Sequence, residues 1–200
     1  MAQPNEIYDK YLTRAISDIN ELTGDVLRCR VCRKARSMPV IGSGHPLADI
    51  MLLKYQARVS ECQEGVAFYG RGGMAVMKSS QRLDIDPLQL YGTNVVKCGG
   101  VDPAAAEPKC LAHLRREIAI VEPKIIVAMG EEVVAALGAL KLPLAQAVEY
   151  EPGQILQLTP TIEVLVTPDI DRSLDEQRHK SAFWRSFRRL GDWYAAIPPY

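Results

Sequence analysis

The sequence predicts an α/β fold, a three-layer α/β/α arrangement around a central, mainly parallel four-stranded sheet. Four short apolar runs, at 49–55, 90–96, 124–130 and 162–166, have the length and continuity of strands buried on both faces. Helical stretches alternate with them, the order that builds a parallel sheet with both faces covered. Glycine and proline punctuate the joints between these segments. The 200 residues are enough for one domain with a real core. We read 1–200 as a single unit, with 1–28 as a helix leading into the first cysteines.

Each element has its own signal. Over 5–28, Ile7, Tyr8, Leu12, Ala15, Ile16, Ile19, Leu22 and Val26 recur at three- and four-residue steps, an amphipathic helix that Gly24 is expected to end or kink. Pro39, Gly42, Gly44 and Pro46 make 37–48 a loop. After the first strand, 56–65 reads as a polar loop. The glycines of 65–73 lack the spacing of a dinucleotide fingerprint and point to a tight turn or a close backbone approach. A helix follows at 74–83, then the second strand, then a loop from Gly99 to Pro108. The next helix starts near Cys110 and shows an apolar face of Leu111, Leu114, Ile118 and Val121. The run 124–130 is the clearest strand, and Gly130 turns directly into a helix at 131–140 with acids in its first turn. The segment 141–161 carries no readable period. The last strand ends at Thr167-Pro168-Asp169, and a final amphipathic helix runs from 174 or 178 to 194.

Composition excludes several classes. With 48% hydrophobic and 24% charged residues, the chain has the balance of a soluble globular protein. No apolar run is long enough to span a bilayer, so no membrane partner is expected. The N-terminal residues lack an export pattern, and a cytoplasmic location is the expectation. The formal net charge is zero, so attraction to nucleic acid has to be local. Two basic clusters qualify: Arg28, Arg30, Arg33, Lys34 and Arg36 around the first cysteines, and Arg178, His179, Lys180, Arg185, Arg188 and Arg189 near the C-terminus.

The stretch Tyr91-Gly92-Thr93-Asn94-Val95-Val96-Lys97-Cys98 concentrates chemistry at a strand end. Asn94 has the amide needed to read a base edge, and Cys98 has a thiol suited to a metal. Cys29 and Cys32 are two residues apart, a spacing that turns two thiolates to one centre. Together with Cys110 they make a set for which spacing leaves zinc, an iron–sulfur centre and merely buried thiols all open. Cys62 is left over and reads as a surface thiol. His45, His113 and His179 show no metal spacing, and His113 reads as a surface residue. Ligands of parallel sheets bind beyond the carboxyl ends of the strands, here near 54–58, 94–98, 130 and 167–169.

Taken in order, several blocks resemble one family, the iron–sulfur (family four) uracil-DNA glycosylases. The blocks are Cys29 and Cys32, the run from Gly65 to Gly73 containing Phe68-Tyr69-Gly70-Arg71, the run Thr93 to Cys98, Cys110, and Pro123 to Gly130. The resemblance implies a 4Fe–4S cluster on Cys29, Cys32, Cys98 and Cys110, with zinc as the alternative. It implies that Phe68 stacks on a flipped base and that Asn94 bonds the base edge. DNA, single- or double-stranded, is the implied partner, with Arg33, Lys34, Arg71 and Arg172 as candidate backbone contacts, and a monomer is expected.

The catalytic motifs depart from the family. Its Gly-Glu-Ala-Pro-Gly is Lys54-Tyr55-Gln56-Ala57-Arg58 here, so Tyr55 stands for the catalytic Glu. Its His-Pro-Ser is Thr167-Pro168-Asp169, so Thr167 stands for the His that stabilises the leaving base. Removing one such donor costs about 3 kcal/mol in other enzymes. The expectation is a DNA- or nucleobase-binding protein of DNA repair with weak or lost uracil excision. Glu61 and Asp169 are the acids nearest to hand if catalysis persists in an active glycosylase with substituted residues. A scaffold or redox-responsive module is the reading from another class.

Overall fold

The computed structural model describes residues 4–31 and 38–197. Four parallel strands form its centre: β2 (Ile50–Gln56), β3 (Leu90–Val96), β4 (Ile125–Met129) and β6 (Ile162–Thr167). They lie in the order β3-β2-β4-β6. These are the four predicted runs. Two antiparallel edge strands widen the sheet to six: β1 (Ser43–Gly44) beside β3, and β5 (Ile155–Thr159) beside β6. β5 lies in the segment without a readable period, because an edge strand half open to solvent needs no continuous apolar run.

Side chains alternate across the sheet and split the core in two. Met51, Leu53, Ile126, Ala128, Val164 and Val166 point to one face. There they meet α4 (Pro103–Val121) through Leu114 and Ile118, and α5 (Glu131–Ala139) through Val133 and Leu137. Ile50, Leu52, Ile125, Val127 and Leu165 point to the other face. That face is covered by α3 (Arg71–Gln81) through Val76, by α6 (Ile170–Ser173) through Ile170, and by α7 (Gln177–Ala196) through Phe183, Phe187 and Leu190.

Several helices differ from expectation. α1 (Pro4–Arg28) runs straight through Gly24, because Leu22 and Val26 are buried on either side and packing outweighs the propensity cost. α4 begins at Pro103 and not near Cys110: Asp102 caps it by accepting from Ala104 N, and Pro103 suits the first turn, where no backbone donor is needed. Pro108 is absorbed inside the helix. A short α2 (Val59–Glu64) replaces part of the predicted 56–65 loop, and Gly65 ends it in the left-handed conformation, φ 73°. No helix among the described residues is long and apolar enough to cross a membrane.

Candidate functional site

The strand register builds the site. Lys54 pairs with Asn94 on one side and with Met129 on the other, and Met129 pairs with Thr167. These four side chains therefore stand in one row at the carboxyl ends of the parallel strands. They continue the face that carries Leu52 and Leu165, the face covered by α3, α6 and α7.

Phe68 closes the row from above. Its backbone takes φ 61°, an unusual conformation for a non-glycine residue. Two features hold it there. Its N–H donates to Glu61 Oε1, and its ring lies against Gly92, where an added Cβ would fall 2.6 Å from Phe68 Cδ2. At Gly73 an added Cβ would fall 1.6 Å from Phe68 O, so the start of α3 packs directly on this residue. These contacts give the glycine-rich segment its close backbone approach.

Lys54 lies in front of that ring. Its Nζ is 5.0 Å from the Phe68 ring centroid. It donates to Glu61 Oε2 at 2.9 Å and to Asp171 Oδ2 at 3.0 Å. Glu61 is 0% exposed and also accepts from Arg58 N at 2.7 Å. Its carboxylate is thus occupied by three donors. Asp171, which sequence reasoning missed, is shared between Lys54 and Arg58, whose Nε is 3.4 Å away. Nothing in a lysine after an apolar run signals partners seven residues ahead on a short helix and far down the chain. The presence of two basic residues within 54–58 was the available hint.

Asn94 is the exception in this row. It is 1% exposed, and neither its Oδ1 nor its Nδ2 has a hydrogen-bond partner. A buried amide with both ends unsatisfied is costly, and natural proteins tolerate it where something else binds.

The positions of the two substituted motif residues are now clear. Tyr55 points to the opposite face, where its hydroxyl donates to Glu107 Oε2 on α4 at 2.5 Å. Burial first, and then Glu107, push its phenol up to about 12. Thr167 is fully buried and its hydroxyl faces main-chain oxygens, Pro168 O at 3.2 Å and Ala128 O at 3.4 Å. Asp169 caps α6 by accepting from Arg172 N at 2.9 Å. It lines a cleft of about 290 Å³ with Glu131, Glu132, Tyr150, Arg172 and His179. Arg71 and Arg172 are exposed at the same edge, paired with Asp175 and Glu132. Surface pairs of this kind are weak, about 0–1 kcal/mol, and exchange easily for phosphate.

The cysteines gather on the other face. Tyr8 of α1 reaches His45, and His45 N donates to Leu90 O at the start of β3, so α1 rises alongside β3. α4 descends from the end of β3, and Asp25 of α1 meets Arg116 of α4 at 2.6 Å. Cys29, Cys98 and Cys110 are therefore at the same end of the molecule. Cys98 and Cys110 are buried and Cys29 is half-buried. Val40 N donates to Lys97 O at 2.7 Å, so the segment that begins at Cys29 returns beside Cys98. Cys32, Arg33 and Lys34, with Arg36, lie outside the described residues. Among the described residues, no three His, Cys, Asp or Glu side chains are close enough to hold a metal ion.

Two further expectations change. His113 is buried, not on the surface, and its Nε2 has no partner. Burial, followed by Lys109, Lys97 and Arg116, holds its imidazole below the usual value. Cys62 is half-buried against Val40, Ala57 and Ala67, so the short α2 gives it a packing role.

Comparison with known proteins is consistent with this arrangement. A family model described as the uracil DNA glycosylase superfamily matches residues 41–188. A type-4 uracil-DNA glycosylase of Sulfurisphaera tokodaii is 32% identical over 122 residues, 58% of this chain and 56% of that protein. One from Pyrobaculum aerophilum is 29% identical over 119 residues, 56% of this chain and 61% of that protein. One from Archaeoglobus fulgidus is 26% identical over 121 residues, 58% of this chain and 61% of that protein. The match thus spans somewhat over half the length of these relatives.

Proposed function

Because this chain belongs to the uracil DNA glycosylase superfamily, we propose that it is a DNA-binding iron–sulfur protein of DNA repair with weak or no excision of uracil. The observation that carries the reading is the row at the strand ends. Phe68 and the unpaired amide of Asn94 stand where a flipped base is stacked and read. Neither group that supports excision stands beside them.

Cleaving an N-glycosidic bond to uracil puts negative charge on the leaving base and requires a placed water. Tyr55 faces Glu107 across the sheet and cannot orient that water. Thr167 turns its hydroxyl to main-chain oxygens, away from any leaving base. Glu61 is held by three donors, and Asp169 caps a helix. Recognition is retained and the catalytic groups are not.

Cys29, Cys32, Cys98 and Cys110 would hold the 4Fe–4S cluster. Two buried thiols, with a third at the end of the helix packed on α4, support that assignment over zinc on two close pairs. Such a cluster ties the end of α1, the end of β3 and the start of α4 into one unit. Arg71 and Arg172, with Arg33 and Lys34, are the proposed contacts to the DNA backbone.

The test is direct. Purified protein with the brown colour of an iron–sulfur centre is incubated with a uracil-containing oligonucleotide and then treated with alkali. No strand cleavage is expected, while salt-dependent binding to the same oligonucleotide is. Rapid uracil release overturns the proposal, and colourless protein containing zinc overturns the cluster.

A further inference from the structure

The pocket under Phe68 holds two carboxylates and one ammonium, and that imbalance says what kind of ligand it fits. Glu61 and Asp171 are 2.9 and 3.0 Å from Lys54 Nζ. The same ammonium is within cation–π range of the Phe68 ring. Asn94, in register with Lys54, has both amide atoms buried and unpaired. An aromatic face, two carboxylates and an open amide complement a flat cation that also carries hydrogen-bonding edges.

Uracil is the wrong charge for this pocket. To reach Phe68 and Asn94 it would have to displace Lys54, leaving two carboxylates without their cation. Removing one partner of a buried ion pair is the strongly unfavourable case. A cationic base exchanges one positive charge for another and leaves both carboxylates compensated.

We propose that Lys54 is an internal stand-in for a cationic nucleobase, of the N-alkylated purine class, and that this site selects such bases over uracil. The proposal rests on the reading of Phe68 and Asn94 as the base site. It also accounts for Thr167. When the bond from sugar C1′ to a cationic purine breaks, its electron pair returns to the ring and the base departs neutral. Water then adds at C1′ and its proton passes to solvent. No donor to a leaving anion is needed, so the missing histidine costs such a base nothing.

The Lys54→Ala variant empties the stand-in position. Ethylammonium is the probe for the vacated pocket, and propanol is its neutral counterpart. Ethylammonium chloride is expected to raise the melting temperature of Lys54→Ala above that in equal sodium chloride. Propanol is expected not to, and the wild type is expected to respond to neither. If Lys54→Ala does not fold, the yield of folded protein on refolding in each additive is read instead. Equal effects of ethylammonium and propanol overturn the cation pocket.

The base class is read with oligonucleotides that carry one 7-methylguanine, one uracil or only guanine. Lys54→Ala is expected to bind the methylated strand at least about tenfold more tightly than the uracil strand. Adding Asp171→Asn is expected to abolish that difference. Ethylammonium rescue with equal affinities for all strands overturns the base class alone. Failure to bind any strand overturns the base class together with the DNA-binding function proposed above, while the rescue experiment, which contains no DNA, still decides the cation pocket.

Discussion

Two buried lysine–glutamate pairs flank the same strand end, and they are built differently. On the α4 face, Lys97 Nζ donates to Glu117 Oε2 at 2.6 Å and to Thr93 Oγ1 at 2.8 Å. Glu117 also accepts from Tyr91 at 3.0 Å and from Thr93 at 3.1 Å. One cation meets one anion, and the surrounding hydroxyls complete their bonds. Burial, and then Glu117, push the Tyr91 phenol well above its usual range, so it stays a neutral donor. On the α3 face, Lys54 faces two carboxylates beside an amide with no partner. The first network is closed and holds the scaffold together. The second is incomplete, and an incomplete buried polar network marks a place where something binds.

Breaking the closed network should give the largest effect. Glu117→Leu leaves Lys97 buried with only the Thr93 hydroxyl and the Asn94 carbonyl. Losing one partner of a buried pair costs about 3–5 kcal/mol, and urea unfolding midpoints would show it. Lys97→Met combined with Glu117→Leu should recover much of the loss, because no buried charge remains. A small effect of Glu117→Leu would show that this pair is not the support it is taken for.

The open network should respond less. In Lys54→Met, Glu61 keeps its two backbone donors and Asp171 keeps Arg58. A loss of about 2 kcal/mol is expected, between that of a hydrogen bond to a charged group and that of a stripped ion pair. A cost equal to that of Glu117→Leu would remove the distinction between the two pairs.

The distinction was partly legible in the sequence. The apolar runs identify β2, β3, β4 and β6 because strands buried on both faces leave no other pattern. Asn94, Phe68 and the cysteines stood out because their residue types suit bases and metals. Lys54 did not read as an occupant of its own site. Its partners Glu61 and Asp171 come from α2 and α6, helices of six and four residues whose position is set by tertiary contacts. α2 itself escaped notice because its sequence is polar and its stability comes from Glu61 bonding back to Arg58 N and from the Gly65 cap. The direction of Tyr55 was hidden too, since strand alternation assigns it a face only once the register is known.

That direction has its own test. The Tyr55 phenol is raised from 10.0 to about 12 by burial and by Glu107. The fold therefore favours the protonated phenol, and its contribution is fully present below the unfolded value. It is lost as pH rises through about 12, because the native state there binds more protons than the unfolded chain. Tyr55→Phe should cost about 1 kcal/mol near neutral pH, the value of one hydrogen bond. The gap between wild type and variant should close between pH 10 and about 12. A gap that stays constant across that range would place the phenol outside the Glu107 contact.

Asn94 should give the smallest effect on stability and the sharpest on recognition. Its side chain makes no hydrogen bond in the folded protein although it is 1% exposed, so the fold already bears the cost of desolvating it. Asn94→Leu removes two unsatisfied polar atoms and keeps nearly the same shape. It should change stability by less than about 1 kcal/mol, in either direction, because replacing an unpaired polar group by an apolar one of similar size is close to neutral. Affinity for a base-bearing oligonucleotide should fall, since the only open amide in the row is gone, whereas salt-dependent binding to the backbone through Arg71 and Arg172 should persist. A residue that can be replaced at no cost to the fold but not to recognition belongs to a binding site. If Asn94→Leu unfolds the protein as Glu117→Leu is expected to, then Asn94 belongs to the closed network, and the contrast between the two faces of β3 fails.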